Sequence, residues 1–142
     1  MSKLVDCSAV KYQMNLIKKE LEDVSPLFAV IAQRDPDSIE IRAIGSVFQT
    51  FYNGAESVIE LLLGQQSSHS SDWHRRLLET AHERNVISED LLSQLDQFRR
   101  FRHKYRHSYG FTLNWAMMNP LYAVLHTTYS HLQSIVQKYC PD

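Results

Sequence analysis

Arg102, His107 and Tyr109 stand in fixed order in and just beyond the most cationic stretch of this chain. Residues 99–107, Arg-Arg-Phe-Arg-His-Lys-Tyr-Arg-His, hold five of the fifteen Lys/Arg and two of the seven His, with no acid among them. The tract carries +5 in a chain that totals −1, which leaves −6 for everything outside it. Positive charge gathered in one place and interleaved with aromatics points to a polyanion. The histidines add chemistry. An imidazole titrates near neutral pH and can take the proton of a ribose 2′-OH, which then attacks the adjacent phosphate. A guanidinium supplies forked donors to the oxygens where charge builds up. The reaction suited to this combination is RNA cleavage without a metal.

On a helix, Phe98, Phe101 and Tyr105 share one face and read as core anchors. Arg102 and Arg106 lie on its shoulder, with His103 and His107 further round. A five-residue separation on a straight helix is about 140° of rotation and roughly 7.5 Å of rise. One uninterrupted helix therefore does not aim Arg102 and His107 at a single atom. They converge if the helix ends near His107, which Gly110 allows, or if a two-fold dimer brings two tracts together. Both routes are open at this point. Most charge runs on helices are merely solvated faces; the absence of acids and the acidic remainder argue against that here. Contact with a membrane surface ranks low, because the apolar face of the helix is committed to a core.

Outside the tract, Asp72-Trp73-His74-Arg75-Arg76 forms a second small basic group whose tryptophan could stack on a base. The simpler reading is the first turn of a short helix with Trp73 packed inward. Glu56 could orient an active-site group, sit on the surface, or partner a core arginine. His126 and His131 lack a carboxylate or cysteine at ligand spacing, so no metal site is expected. No phosphate-binding loop, dinucleotide fingerprint or nucleophile elbow occurs.

Helices must position these residues. Four Gly and four Pro leave little punctuation in 142 residues. Val10, Met14, Ile17, Leu21, Val24, Phe28 and Ile31 step by fours and threes along one stripe. Pro26 interrupts it, and Ser25 is expected to cap the segment that Pro26 opens. Asp35-Pro36-Asp37-Ser38 reads as a turn. A second long helix is predicted over 39–63, stopped by Gly64, and Asp72 is placed to cap a short one. Ser88-Glu89-Asp90 starts the helix that runs into the basic tract. Asn119-Pro120 is expected to open the last helix, closed by Cys140-Pro141. The expected fold is all-α, a single-domain helical bundle over 1–142 with two long N-terminal helices as its spine and shorter C-terminal ones.

Composition sets further bounds. An apolar share of 44% and an aromatic share of 11% belong to a folded protein with a sizeable core. Cys7 and Cys140, one near each end, give no zinc spacing and predict no disulfide framework, so reduced thiols and a cytoplasmic location are expected. No leader-like apolar segment or membrane-length run is visible.

Arg102-x4-His107-x-Tyr109 matches the R-x4-H-x-Y motif of HepT toxins, and the chain resembles the HepT-like proteins of the HEPN superfamily of helical ribonucleases. The wider run Phe101-Arg102-His103…Arg106-His107-x-Tyr109-Gly110-Phe111 looks like the same subgroup. The resemblance implies a HEPN-type bundle and a metal-independent endoribonuclease acting on cellular mRNA or tRNA, the toxin of a type VII-like toxin–antitoxin pair. It implies a homodimer whose two motifs line one cleft, with no cofactor. It also implies a nucleotidyltransferase antitoxin, MntA-like, which transfers AMP from ATP onto the motif tyrosine. Carried over, Arg102 and His107 are catalytic and Tyr109 is the AMP acceptor. Arg99, Arg100, His103, Lys104 and Arg106 are auxiliary RNA-binding residues. Many relatives place a small polar residue, commonly Asn, after the motif arginine, followed by apolar residues. Here His103, Lys104, Tyr105 and Arg106 fill those places, so His103 could share the role of His107, and Arg100 could stand in for Arg102. The rival readings are a non-catalytic helical adaptor for a nucleotidyltransferase and a plain RNA-binding module.

Overall fold

A computed structural model describes residues 4–64, 72–107 and 113–142. These form six helices and no strand: α1 (Cys7–Asp23), α2 (Ser25–Ile31), α3 (Ser38–Leu63), α4 (Trp73–Glu83), α5 (Glu89–His107) and α6 (Trp115–Tyr139). The all-α bundle expected from the hydrophobic spacing is what the chain adopts. Asp6 caps α1 by accepting from Ala9 N–H, and Val10, Met14, Ile17 and Leu21 turn inward along its stripe. The break before Pro26 is present, but Ser25 is not the cap. Val24 takes that position without a side-chain bond, and Ser25 is already helical, with Pro26 in the first turn where its missing N–H costs nothing.

The central element is α3, which packs against α1, α4, α5 and α6. Asp37 accepts from the N–H groups of Ile39 and Glu40, while Glu40 reaches back to Asp37 N–H at 2.9 Å, a reciprocal cap. Gly64 ends the helix at φ 68°, the left-handed conformation that a side chain disfavours. Ten residues of α3 are buried, including Phe48, Phe51 and Tyr52.

The last helix corrects two expectations. It begins after Asn114, whose side chain accepts from Met117 N–H at 2.9 Å, and not at Asn119-Pro120. Pro120 lies inside it. Ala116, whose carbonyl loses its partner there, is exposed, so water can take that bond. With the earlier start, α6 spans 25 residues against 17 in α1 and is no short C-terminal element. The cysteines give a third correction. Although 133 positions apart in sequence, Cys7 and Cys140 are joined in a disulfide, with Cα atoms 5.5 Å apart. Packing of α6 along α1 brings the two ends together, a proximity that cysteine count could not reveal. No helix among the described residues is long and apolar enough to cross a membrane.

Candidate functional site

The helix that carries the basic tract is fixed at its start and along its apolar seam. Ser88 Oγ accepts from Leu91 N–H at 3.1 Å. Glu89 and Asp90 occupy the first turn, and Lys104, Arg106 and His107 the last, each sign at the helix end that favours it. Phe98 and Phe101 are buried against α3, meeting Phe48 edge-on at 5.5 and 5.4 Å between ring centroids; Phe98 also meets Phe51 at 5.1 Å. Tyr105 stacks on Phe101. Gly45 of α3 makes room for this end of α5, since a Cβ there would stand 3.2 Å from Tyr105 and 3.1 Å from Leu113. This seam sets the rotation of α5. Arg99, Arg102, His103 and Arg106, at spacings of three, one and three, therefore share the adjoining face.

That face and the start of α4 enclose a cleft of about 440 Å³. Arg99, Arg102, His103, Arg106 and His107 line one side, and Asp72, His74 and Arg75 the other. Four arginines and a single aspartate line it, so the cleft is cationic. Arg102 and His107 border the same space within one chain. Arg102 Nε donates to Asn53 Oδ1 of α3 at 2.5 Å, which leaves the two terminal amino groups as the fork for an anion. Burial, then the neighbouring Arg106, lowers the Arg102 guanidinium below its ordinary range, while Glu56 and Tyr52 pull the other way. It remains a cation at neutral pH. The rings of His103 and His107 lie 4.9 Å apart, so both imidazoles stand at the same end of the cleft.

The auxiliary residues divide. Arg99, His103 and Arg106 line the cleft, whereas Arg100 and Lys104 do not. Asp96, just outside the tract, binds Arg99 at 2.7 Å and Arg100 at 2.9 Å, so the upstream end is less cationic than its own composition implies. Tyr109 and Gly110 lie outside the described residues.

The 72–76 group follows the simpler of its two readings: its tryptophan is turned inward and does not line the cleft, while His74 and Arg75 do. Trp73 packs against the core with its indole nitrogen buried, as a first-turn residue should. The next residue, His74, faces the cleft, and its Nδ1 lies 2.7 Å from Glu56 Oε2. Asp72 sits at the cap position but makes no capping bond. Beneath the pair, Tyr52 is fully buried, and burial followed by the charge of Glu56 pushes its phenol far above the ordinary range. Burial and then Glu56 also raise the Glu60 carboxyl, against the pull of Trp73 and His74. The sequence leaves Glu56 open between orienting a site group, lying on the surface and pairing with a core arginine; its side chain is mostly buried and its partner is a histidine. Its meeting with His74 joins two helices across 18 positions, and no local pattern signals it.

A family model described as HepT-like protein matches residues 43–142. The chain belongs to the HepT-like family. The matched region holds every element of the cleft, from Asn53 and Glu56 of α3 through α4 and α5, together with the whole of α6. As a HepT-like protein it falls in the HEPN superfamily, which suggests a HEPN-type toxin in a toxin–antitoxin context. Neither the curated proteins nor the solved structures contain a match to it.

Proposed function

We propose that this HepT-like protein is a metal-independent endoribonuclease toxin that cleaves cellular RNA with Arg102 and His107. The observation that carries this reading is their shared placement in one cationic cleft, with Arg102 oriented by Asn53. His107 takes the 2′-OH proton. The Arg102 fork binds the phosphoryl oxygens and the charge that grows on them during displacement. Arg99 and Arg106 draw the backbone in, and His103 stands close enough to share the work of His107. The toxin acts as a homodimer, its partner copy extending the RNA path across the open side. Its place in the cytoplasm follows from its RNA substrate and not from free thiols. A co-encoded MntA-like nucleotidyltransferase silences it by adding AMP to Tyr109. That modification puts a phosphodiester anion two residues from His107, where it competes with the RNA phosphate for the cationic field.

The deciding experiment incubates purified protein with total cellular RNA, with and without EDTA. Cleavage should persist in EDTA and be lost in Arg102→Ala and His107→Ala, both keeping wild-type helix content. A His107→Ala variant cutting at the wild-type rate would overturn the assignment. Intact RNA with wild-type protein, together with normal growth on expression, would favour the adaptor. Mass spectrometry after incubation with ATP and the transferase should find the adduct on Tyr109.

A further inference from the structure

The cleft holds a pair that the Arg102/His107 motif does not use. Glu56 reaches from the middle of α3 and His74 from the first turn of α4, with Oε2 and Nδ1 2.7 Å apart. The Glu56 side chain is nearly enclosed at 12% exposure, while His74 keeps 37% and lines the cleft. A carboxylate oxygen only accepts, so Nδ1 carries the hydrogen and Nε2 is the nitrogen left for a ligand. A fixed tautomer and a single free nitrogen are what a proton-transfer imidazole needs. Arg102 lies close enough for the charge of Glu56 to act on it, so the pair and the motif arginine serve one space.

We infer that His74, held by Glu56, is the second proton-transfer residue of the cleft and delivers the proton to the leaving 5′-oxygen of the scissile RNA phosphodiester. This inference rests on the ribonuclease reading. Cleavage by internal displacement moves two protons at opposite ends of the reacting phosphorus, so the His107 that takes the first needs an acid placed apart from it for the second. His103, beside His107, stands at the same end, while His74 lines the opposite wall. His107 accepts the 2′-OH proton as O2′ bonds to phosphorus. The P–O5′ bond breaks, its electron pair stays on O5′, and O5′ takes the proton from His74 Nε2. The products are a 2′,3′-cyclic phosphate and a 5′-hydroxyl. His107 ends protonated and His74 neutral, and exchange with water resets both. The described residues explain the division of roles. His103 and His107 stand together among arginines, and among the described residues no carboxylate pairs with either. His74 has Glu56 as the counter-charge for the imidazolium that must enter the reaction. Glu56 is a positioning residue, since it acts through the ring it holds.

The test uses an RNA that the wild-type protein cleaves, prepared in two forms at the mapped cleavage site. One has the natural 5′-oxygen and the other a 5′-bridging sulfur, which departs as a thiolate without needing a proton. His74→Ala should slow the oxygen substrate by about 10²- to 10⁴-fold and the sulfur substrate by less than about tenfold. His107→Ala should slow both alike. Glu56→Gln should slow the oxygen substrate less than His74→Ala does, with the same sparing of the sulfur substrate. His74→Gln, which keeps a polar side chain at this partly exposed position, should repeat the His74→Ala pattern with an unchanged melting temperature. Equal slowing of both substrates by the His74 variants, or no slowing, would overturn the role of His74 while leaving the ribonuclease reading intact. If wild type cuts no RNA, or His107→Ala cuts normally, the ribonuclease reading fails and this inference falls with it.

Discussion

Opening the Cys7–Cys140 bond should lower thermal stability by a large and readable amount without touching the cleft. The bridge closes a loop across 133 positions, nearly the whole chain. The loop-entropy relation gives about 5 kcal/mol at 25 °C for a closure of that length, against about 2–4 for most measured bridges. In a domain of this size each kcal/mol is worth about 2–4 °C, so the melting temperature should fall by roughly 10 °C or more. Neither cysteine lines the cleft, so the RNA cleavage rate at 25 °C should be unchanged. The assay is a pair of circular-dichroism melts on oxidised and dithiothreitol-treated protein, with free thiols counted chemically. The Cys7→Ser/Cys140→Ser double variant should match the reduced form. A shift below about 2 °C, with both thiols shown free in the treated sample, would refute the reasoning. It would mean that α1 and α6 hold the seam together in the unfolded ensemble too, or that the bridge does not form.

Three further outcomes are expected. Asn53→Ala removes the bond that orients Arg102; its partners are exposed, so a loss of about 0.5–1.5 kcal/mol, or about 2- to 12-fold in cleavage rate, should appear with no change in melting temperature. Gly45→Val places atoms where Tyr105 and Leu113 already stand, and should cost about 1–3 kcal/mol in denaturant unfolding while also reducing cleavage; full stability would contradict the tight approach of α5 to α3. Glu60 has its carboxyl raised, so the folded state holds that proton more tightly than the unfolded chain, and ionising it as pH rises through its folded range costs stability. Glu60→Gln should therefore melt higher than wild type at pH 7, with the advantage shrinking as pH falls through the raised folded range and gone once pH is below the ordinary carboxylate range; a constant difference between pH 4 and pH 7 would rule this out.

The sequence made the fold legible wherever one helix supplied the signal. The stripe from Val10 to Leu21 is buried as its spacing demands, Gly64 stops α3, and Ser88 starts α5. The same local logic misplaced the start of α6, because Pro120 resembles an opening residue while Asn114 does the capping five positions after the last motif residue. The tract 99–107 is free of acids as counted, but Asp96 sits one turn upstream and shares its single negative charge between Arg99 and Arg100, which a count inside the tract does not show. Of the cleft, the α5 wall could be read from charge and spacing. The opposite wall could not, since the joining of His74 to Glu56 and of Asn53 to Arg102 depends on how α3, α4 and α5 lie together. The cysteine pair is the extreme case, with partners at opposite ends of the chain.

The placement of Asp96 gives α5 an electrical slope. Arg99 and Arg100 are held by that carboxylate, while among the described residues no carboxylate pairs with Arg102, Lys104 or Arg106. On the ribonuclease reading proposed above, an RNA strand travelling along this helix would meet a shallow potential first and a deepening one toward its final turn. A strand would thus be drawn downhill toward the imidazoles, and a mutation at Asp96 would level that descent by making the entrance as sticky as its end.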